Sequence, residues 1–285
     1  MIEIRKWLTA LAVCVACGWL CAAHAQPGYA TERGIVYREG AEVDAYQEAM
    51  CQLDVYYPLD AGDAGFTTVV WLHAGGLKRG SRYVPGELRG EGVAVVAVGY
   101  RLSPEVKAPA YIEDAAAATA WVFENIERYG GDPDRVVIAG ASAGGYLAAM
   151  VGLDRRWLAA HEIDADRLMG IASLSGQSIT HVAVREERGI PRDRPVIDDL
   201  APVFHVRADA PQMLLTTGDR DLELLGRYEE SAYFARMMRV AGHERTELYE
   251  LEGYGHEAGL EKAGHALLLR FLERVRDKRD DGGGG

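Results

Sequence analysis

Four separated places in the chain carry groups that could act together on an acyl carbon. Ser142 sits in Gly140-Ala141-Ser142-Ala143-Gly144, a G-x-S-x-G pattern. The apolar, partly β-branched run Val136-Val137-Ile138-Ala139 precedes it, and Gly145 to Met150 follows with the small residues of a close-packed helix start. A strand, a sharp turn and a helix in that order would lift the serine hydroxyl out at the top of a sheet. A serine hydroxyl is a weak nucleophile and needs a base, and an imidazole suits that task when a carboxylate fixes its tautomer. His256 follows Gly253-Tyr254-Gly255 near the C-terminus and is the best base. His161 and His243 stand in polar contexts, His265 inside a closing helix, and His181 and His205 in a long irregular stretch. Asp221 is the preferred carboxylate, with Asp219 as runner-up that could instead brace its loop. Finally, His73-Ala74-Gly75-Gly76 could offer backbone N–H groups to an oxyanion, together with the N–H of Ala143. Taken singly, each is also an ordinary glycine turn or a structural histidine; their joint placement gives them meaning.

That placement depends on the elements between them. Gly34–Tyr37 and Leu53–Tyr57 read as early strands, the second alternating and ending at Pro58. Thr67–Leu72, Val93–Val98, Leu168–Leu174 and Gln212–Thr217 are apolar runs of the kind found in buried parallel strands, and Thr246–Leu251 is a further strand. Helical patterning covers Tyr111–Tyr129, Leu225–Val240 and Ala263–Arg276. Strands alternating with helices predict an α/β fold with a mostly parallel, doubly wound sheet. Such sheets place ligand sites at the carboxyl ends of their strands, where Ser142, Asp221, His256 and the His73 loop all fall. The alternation breaks between Gln177 and Pro211, a charged stretch punctuated by Pro191, Pro195 and Pro202. It reads as a cap or lid excursion over the site, with a surface linker as the alternative.

Composition narrows the function classes. The 285 residues are 48% hydrophobic and 26% charged, with a net charge of −12, which disfavours nucleic acid or an anionic membrane surface as partner. Residues 1–25 have the form of a secretory signal peptide: Arg5 and Lys6, an apolar run from Leu8 to Ala23, then Ala23-His24-Ala25 before Gln26. The apolar run is short for a membrane span, so no stable span is expected once the leader is removed. Cys14, Cys17 and Cys21 within it leave a lipid anchor as an alternative. A periplasmic or secreted protein follows, with residues 26–276 as one domain and residues 277–285 as a disordered tail. Leader removal leaves Cys51 alone, unable to form an internal disulfide, so a hydrophobic core must carry the fold.

At this level the chain resembles α/β-hydrolases of the carboxylesterase/lipase group, which includes hormone-sensitive-lipase-like, feruloyl-esterase and kynurenine-formamidase-like members. The resemblance rests on Leu53-Asp54-Val55-Tyr56-Tyr57-Pro58, the His73 loop, Tyr100-Arg101-Leu102-Ser103-Pro104-Glu105, Gly131-Asp132-Pro133, the Ser142 turn and Gly218-x-x-Asp221. It implies a Ser142–His256–Asp221 triad, oxyanion donors at Gly75, Gly76 and Ala143, and a small-molecule ester as substrate, with no cofactor or metal. Departures concern the substrate rather than the triad. Ala74 replaces the first glycine of a common H-G-G-G run, and Leu77 a frequent aromatic. Ala141 replaces an acidic residue, and Leu222-Glu223-Leu224 lacks a common Val-Pro. An exported serine hydrolase working through an acyl-enzyme is therefore expected. Amide or formamide hydrolysis, a serine peptidase and a non-catalytic binding module are the alternatives.

Overall fold

In a computed structural model, described for residues 28–282 except 41, 63 and 225, the apolar runs line up in one eight-stranded sheet. The predicted leader lies outside the described residues. In chain order the elements are β1 (Tyr29–Val36), α1 (Ala45–Met50), β2 (Gln52–Pro58), β3 (Phe66–Leu72), β4 (Ala94–Val98), α2 (Ala110–Asn125), β5 (Gly131–Ala141), α3 (Ala143–Leu153) and α4 (Arg156–Ala159). They continue with β6 (Gly170–Leu174), α5 (Val182–Glu187), β7 (Gln212–Gly218), α6 (Arg227–Val240), β8 (Thr246–Leu251) and α7 (Ala258–Gly282).

The strand order is β1-β2-β4-β3-β5-β6-β7-β8. β1 and β2 pair antiparallel, as do β2 and β4, and every pairing from β4 through β3 to β8 is parallel. The expected doubly wound sheet is present, with an antiparallel edge. The period-two rule sorts its side chains onto two cores. Val70, Leu72, Val96, Ile138 and Ile171 face the side covered by α2, α3 and α6. Val69, Trp71, Val95, Val137 and Ala139 face α7, which seals its side with Leu268, Phe271, Leu272 and Val275. Because both faces are covered, the central strands read as unbroken apolar runs, which made them visible in the sequence. Cys51 is buried and free, packed as a small hydrophobe.

Several boundaries differ from the sequence reading, β1 among them, which starts at Tyr29 rather than Gly34. β5 starts at Gly131, and a break in its register with β3 between Phe66 and Thr68 takes up the Asp132-Pro133-Asp134 turn. The closing helix begins earlier than Ala263 and continues past Arg276 to Gly282, where a disordered tail was expected; residues 283–285 lie outside the described residues. No proline or glycine interrupts the segment between Arg276 and Gly282, so nothing in its backbone chemistry stops the helix there. Among the described residues no helix is long and apolar enough to cross a membrane.

Candidate active site

Ser142 stands between β5 and α3 with φ +52°, a backbone setting that costs a non-glycine residue on the order of 1–2 kcal/mol. Its surroundings hold it there. The Ser142 N–H donates to the Leu174 carbonyl at 2.7 Å, and its own carbonyl accepts from Tyr146 N–H at 3.0 Å. α3 also crosses the end of β3 so closely that a Cβ on Gly144 would come within 1.9 Å of the Leu72 carbonyl oxygen. Only glycine permits that approach, and the approach fixes where the turn presents its hydroxyl.

The Ser142 hydroxyl lies 2.9 Å from His256 Nε2. His256 arrives from the loop after β8, and its Nδ1 lies 2.6 Å from Glu223 Oε1. A proton on Nδ1, donated to the carboxylate, leaves Nε2 as the acceptor for the serine hydroxyl. The Glu223 side chain is 1% exposed. Three further donors reach it: Ser175 hydroxyl at 2.6 Å, Gly218 N–H at 3.1 Å and Leu224 N–H at 2.8 Å. Burial raises the Glu223 carboxyl, but the hydrogen bonds from His256, Ser175 and Leu224 outweigh it and hold the group down at about 2. The Ser175 hydroxyl is also 3.2 Å from His256 Nδ1.

The carboxylate on His256 is thus Glu223, not Asp221. Asp221 is exposed, and its N–H donates to Asp219 Oδ1 at 2.9 Å. Asp219 is a brace: its Oδ2 accepts from Gly253 N–H at 2.8 Å and so ties the loop after β7 to the loop carrying His256. The reason for the two-residue offset is a helical turn, in which the Leu222 and Glu223 N–H groups both bond back to the Asp219 carbonyl. That turn directs Asp221 outward and Glu223 under the imidazole. The missed signal was a glutamate beside the two aspartates, since the acid in this arrangement can be either residue type.

The glycine loop after β3 borders the same cavity as Ser142 and His256. Gly75 has φ +129°, and a Cβ there would lie 1.8 Å from the Arg79 carbonyl oxygen, so the loop closes only around a glycine. Among the described residues no hydrogen bond engages the N–H of Gly75, Gly76 or Ala143, and Ala143 at the start of α3 has no partner within its helix. His73 braces the loop: its Nδ1 bonds the Ala74 carbonyl at 2.7 Å and its ring stacks on Tyr100 at 4.2 Å. Burial lowers the His73 pKa, which keeps it neutral.

The remaining histidines are held elsewhere. His243 is fully buried rather than surface-like, bonded to Thr246 and to the Ala210 and Pro211 carbonyls. His265 meets Glu87, and His205 lies 3.5 Å from Asp154. Among the described residues no cluster of three metal-ligating side chains forms. The cavity encloses about 520 Å³, and Gln177, His181, Val182 and Arg192 of the 177–211 excursion form part of its wall. The excursion therefore borders the site.

This fold and this serine–histidine–carboxylate geometry define an α/β-hydrolase. Residues 53–180 match the family described as BD-FAE. Esterase LipC of Mycobacterium tuberculosis is 27% identical over 80% of this chain and 63% of its own length. Esterase LipI of the same organism is 35% identical over 59% of this chain and 50% of its own. The chain thus spans about half to just under two thirds of these curated relatives. Esterase 2 of Thermogutta terrifontis, solved phosphoramylated by tabun, superposes with a TM-score of 0.66 at 26% identity, covering 87% of this chain and 95% of that one. The chain thus has the α/β-hydrolase fold and is similar to esterases of the carboxylesterase/lipase group.

Proposed function

We propose that the protein is an exported serine esterase whose triad is Ser142, His256 and Glu223. The observation that carries this reading is the continuous hydrogen-bonded chain from the Ser142 hydroxyl through His256 to the buried Glu223 carboxylate. Ser142 Oγ attacks the acyl carbon while His256 Nε2 takes its proton. The carbonyl oxygen gains the negative charge and is held by the N–H groups of Gly75, Gly76 and Ala143. As the tetrahedral intermediate collapses, the ester C–O bond breaks and His256 returns the proton to the leaving alkoxide, giving an alcohol and an acyl-Ser142. Water, deprotonated by His256, attacks the acyl carbon and releases the acid and the free serine. Glu223 keeps the imidazole in the productive tautomer and stabilises the imidazolium. Every proton in this cycle passes through His256, and no other group is required.

The names of the relatives, esterases throughout those compared above, favour an ester as the scissile bond. A fluorophosphonate probe should label the protein at Ser142, and Ser142→Ala should abolish labelling and lower kcat by about a millionfold. Labelling that survives Ser142→Ala would refute the assignment. Export rests on the pattern of residues 1–25. N-terminal sequencing of the protein from the periplasm or medium should begin at Gln26, and an intact Met1 there would exclude cleavage.

A further inference from the structure

The wall formed by the excursion and the start of α6 carries an unusual set of buried donors. Arg227 is 6% exposed and borders the cavity. It hydrogen-bonds the Ser175 carbonyl through Nη1, its Nε has no hydrogen-bond partner, and the nearest carboxylate, Glu230, stands 4.0 Å away. Beside it Arg185, 4% exposed, has only carbonyl oxygens for partners, those of Thr180, Arg192 and Arg194. A buried guanidinium without a carboxylate at hydrogen-bond distance is costly unless something completes its shell.

His181 lies in the same corner. It is 3% exposed, borders the cavity and packs against Tyr146 at 5.1 Å. Its Nδ1 accepts the Ala183 N–H at 3.1 Å, which places the imidazole proton on Nε2. Among the described residues no hydrogen bond engages that Nε2. Burial, then the charges of Arg227, Arg185 and Lys78, drive His181 well below the usual histidine range, so it is a neutral donor in a field of three cations. Of the carboxylates nearby, Glu186 pairs with Lys78 and, at 3.9 Å, Arg192, Glu223 pairs with His256, and Glu230 accepts from Ser178 N–H at 3.3 Å while standing 4.0 Å from Arg227. Glu257 and Glu261 also border the cavity, from the loop and helix that follow His256.

We propose that His181 and Arg227 form an anion-recognising corner, so that the ester taken by Ser142 carries a second, carboxylate-bearing group. A carboxylate there would accept from neutral His181 and from the guanidinium, adding an anion at hydrogen-bond distance where Glu230 stands 4.0 Å from Arg227. This deepens the esterase reading and rests on it.

The test compares esters matched in size but not in charge. Mono-para-nitrophenyl adipate against para-nitrophenyl hexanoate probes the acyl side, and meta-butyryloxybenzoate against phenyl butyrate probes the alcohol side. In at least one pair kcat/KM should favour the carboxylate by about 10–100-fold, the range of a charge-assisted hydrogen bond. In His181→Asn, which retains a side-chain acceptor for the Ala183 N–H, that ratio should fall by about tenfold. Free adipate should inhibit the wild-type protein and neutral adipamide should not, a readout independent of whether the variant folds. Equal or inverted ratios in both pairs, with neutral esters still turned over and Ser142 still labelled, overturn the anion corner alone. No turnover of any ester, with no labelling, overturns the esterase reading and this proposal with it.

Discussion

The turn after β5 and the turn after β7 both deliver a residue to the same imidazole, by opposite means. At Ser142 the backbone is locked by close contact: α3 lies against the end of β3, and any Cβ at Gly144 would strike Leu72. At Glu223 the forced contact is confined to the start of the turn, where a Cβ on Gly218 would lie 2.5 Å from the Tyr254 carbonyl oxygen, and the turn itself is shaped by hydrogen bonds to the Asp219 carbonyl. An exposed turn, braced by Asp219, carries the carboxylate in, and four donors hold it once it arrives. The first region specifies its residue through backbone sterics that only a narrow set of sequences satisfies. The second specifies it through hydrogen bonds to a side chain, a role open to any of the neighbouring acids that the turn directs inward.

The sharpest way to break the comparison is to exchange the acids. Glu223→Gln should lower kcat by about 10³–10⁴-fold, the loss expected when an imidazole is held in the wrong tautomer. Asp221→Asn, on an exposed residue, should change kcat/KM by no more than about twofold. The reverse result in steady-state kinetics would restore Asp221 as the acid. Next in size is the backbone contrast. Gly144→Ala should destabilise the fold by about 3 kcal/mol or more, through overpacking against Leu72. Gly253→Ala, at φ +81° with nothing within 4 Å of the added carbon, should cost only the left-handed penalty of about 1–2 kcal/mol. Differential scanning calorimetry of the two variants separates them.

A smaller effect concerns pH. Glu223 is depressed from 4.5 to about 2 in the folded protein. Its stabilisation is fully present above pH 4.5 and is lost as pH falls through about 2, because the unfolded chain takes up the proton first. The Tm advantage of the wild type over Glu223→Gln should therefore be constant above pH 4.5 and shrink between pH 4.5 and 2. An advantage that grows on acidification would contradict the hydrogen-bonded carboxylate. Least in size is the brace itself. Asp219→Ala should cost about 1 kcal/mol of stability, the worth of a typical hydrogen bond, and raise amide exchange at Gly253.

Much of the site was legible before any coordinates. Ser142 is marked by its glycines, and those glycines exist because α3 and β3 nearly touch. His256 is marked by following the last strand, a position that topology reserves for the edge where the serine stands. The strands were legible because both sheet faces are covered, so burial wrote itself as apolar runs from Thr67 to Leu72 and from Val136 to Ala139. Asp221 was misjudged because periodicity says nothing about an irregular turn of a few residues, where one helical hydrogen bond decides which acid faces inward. The end of α7 was not legible because a charged segment has no apolar stripe to mark where a helix stops.

By itself the sequence determined the sheet, the serine turn and the histidine, since each depends on patterns readable along the chain: apolar runs buried on both faces, glycine at forced contacts, and strands alternating with helices. Only the tertiary structure decided that Glu223 is the carboxylate, that Ser175 supports it, and that His181 and Arg227 share a corner of the cavity. Those facts depend on the meeting of residues far apart in the chain, and the free energy of such meetings comes from burial and hydrogen-bond geometry that no local pattern records.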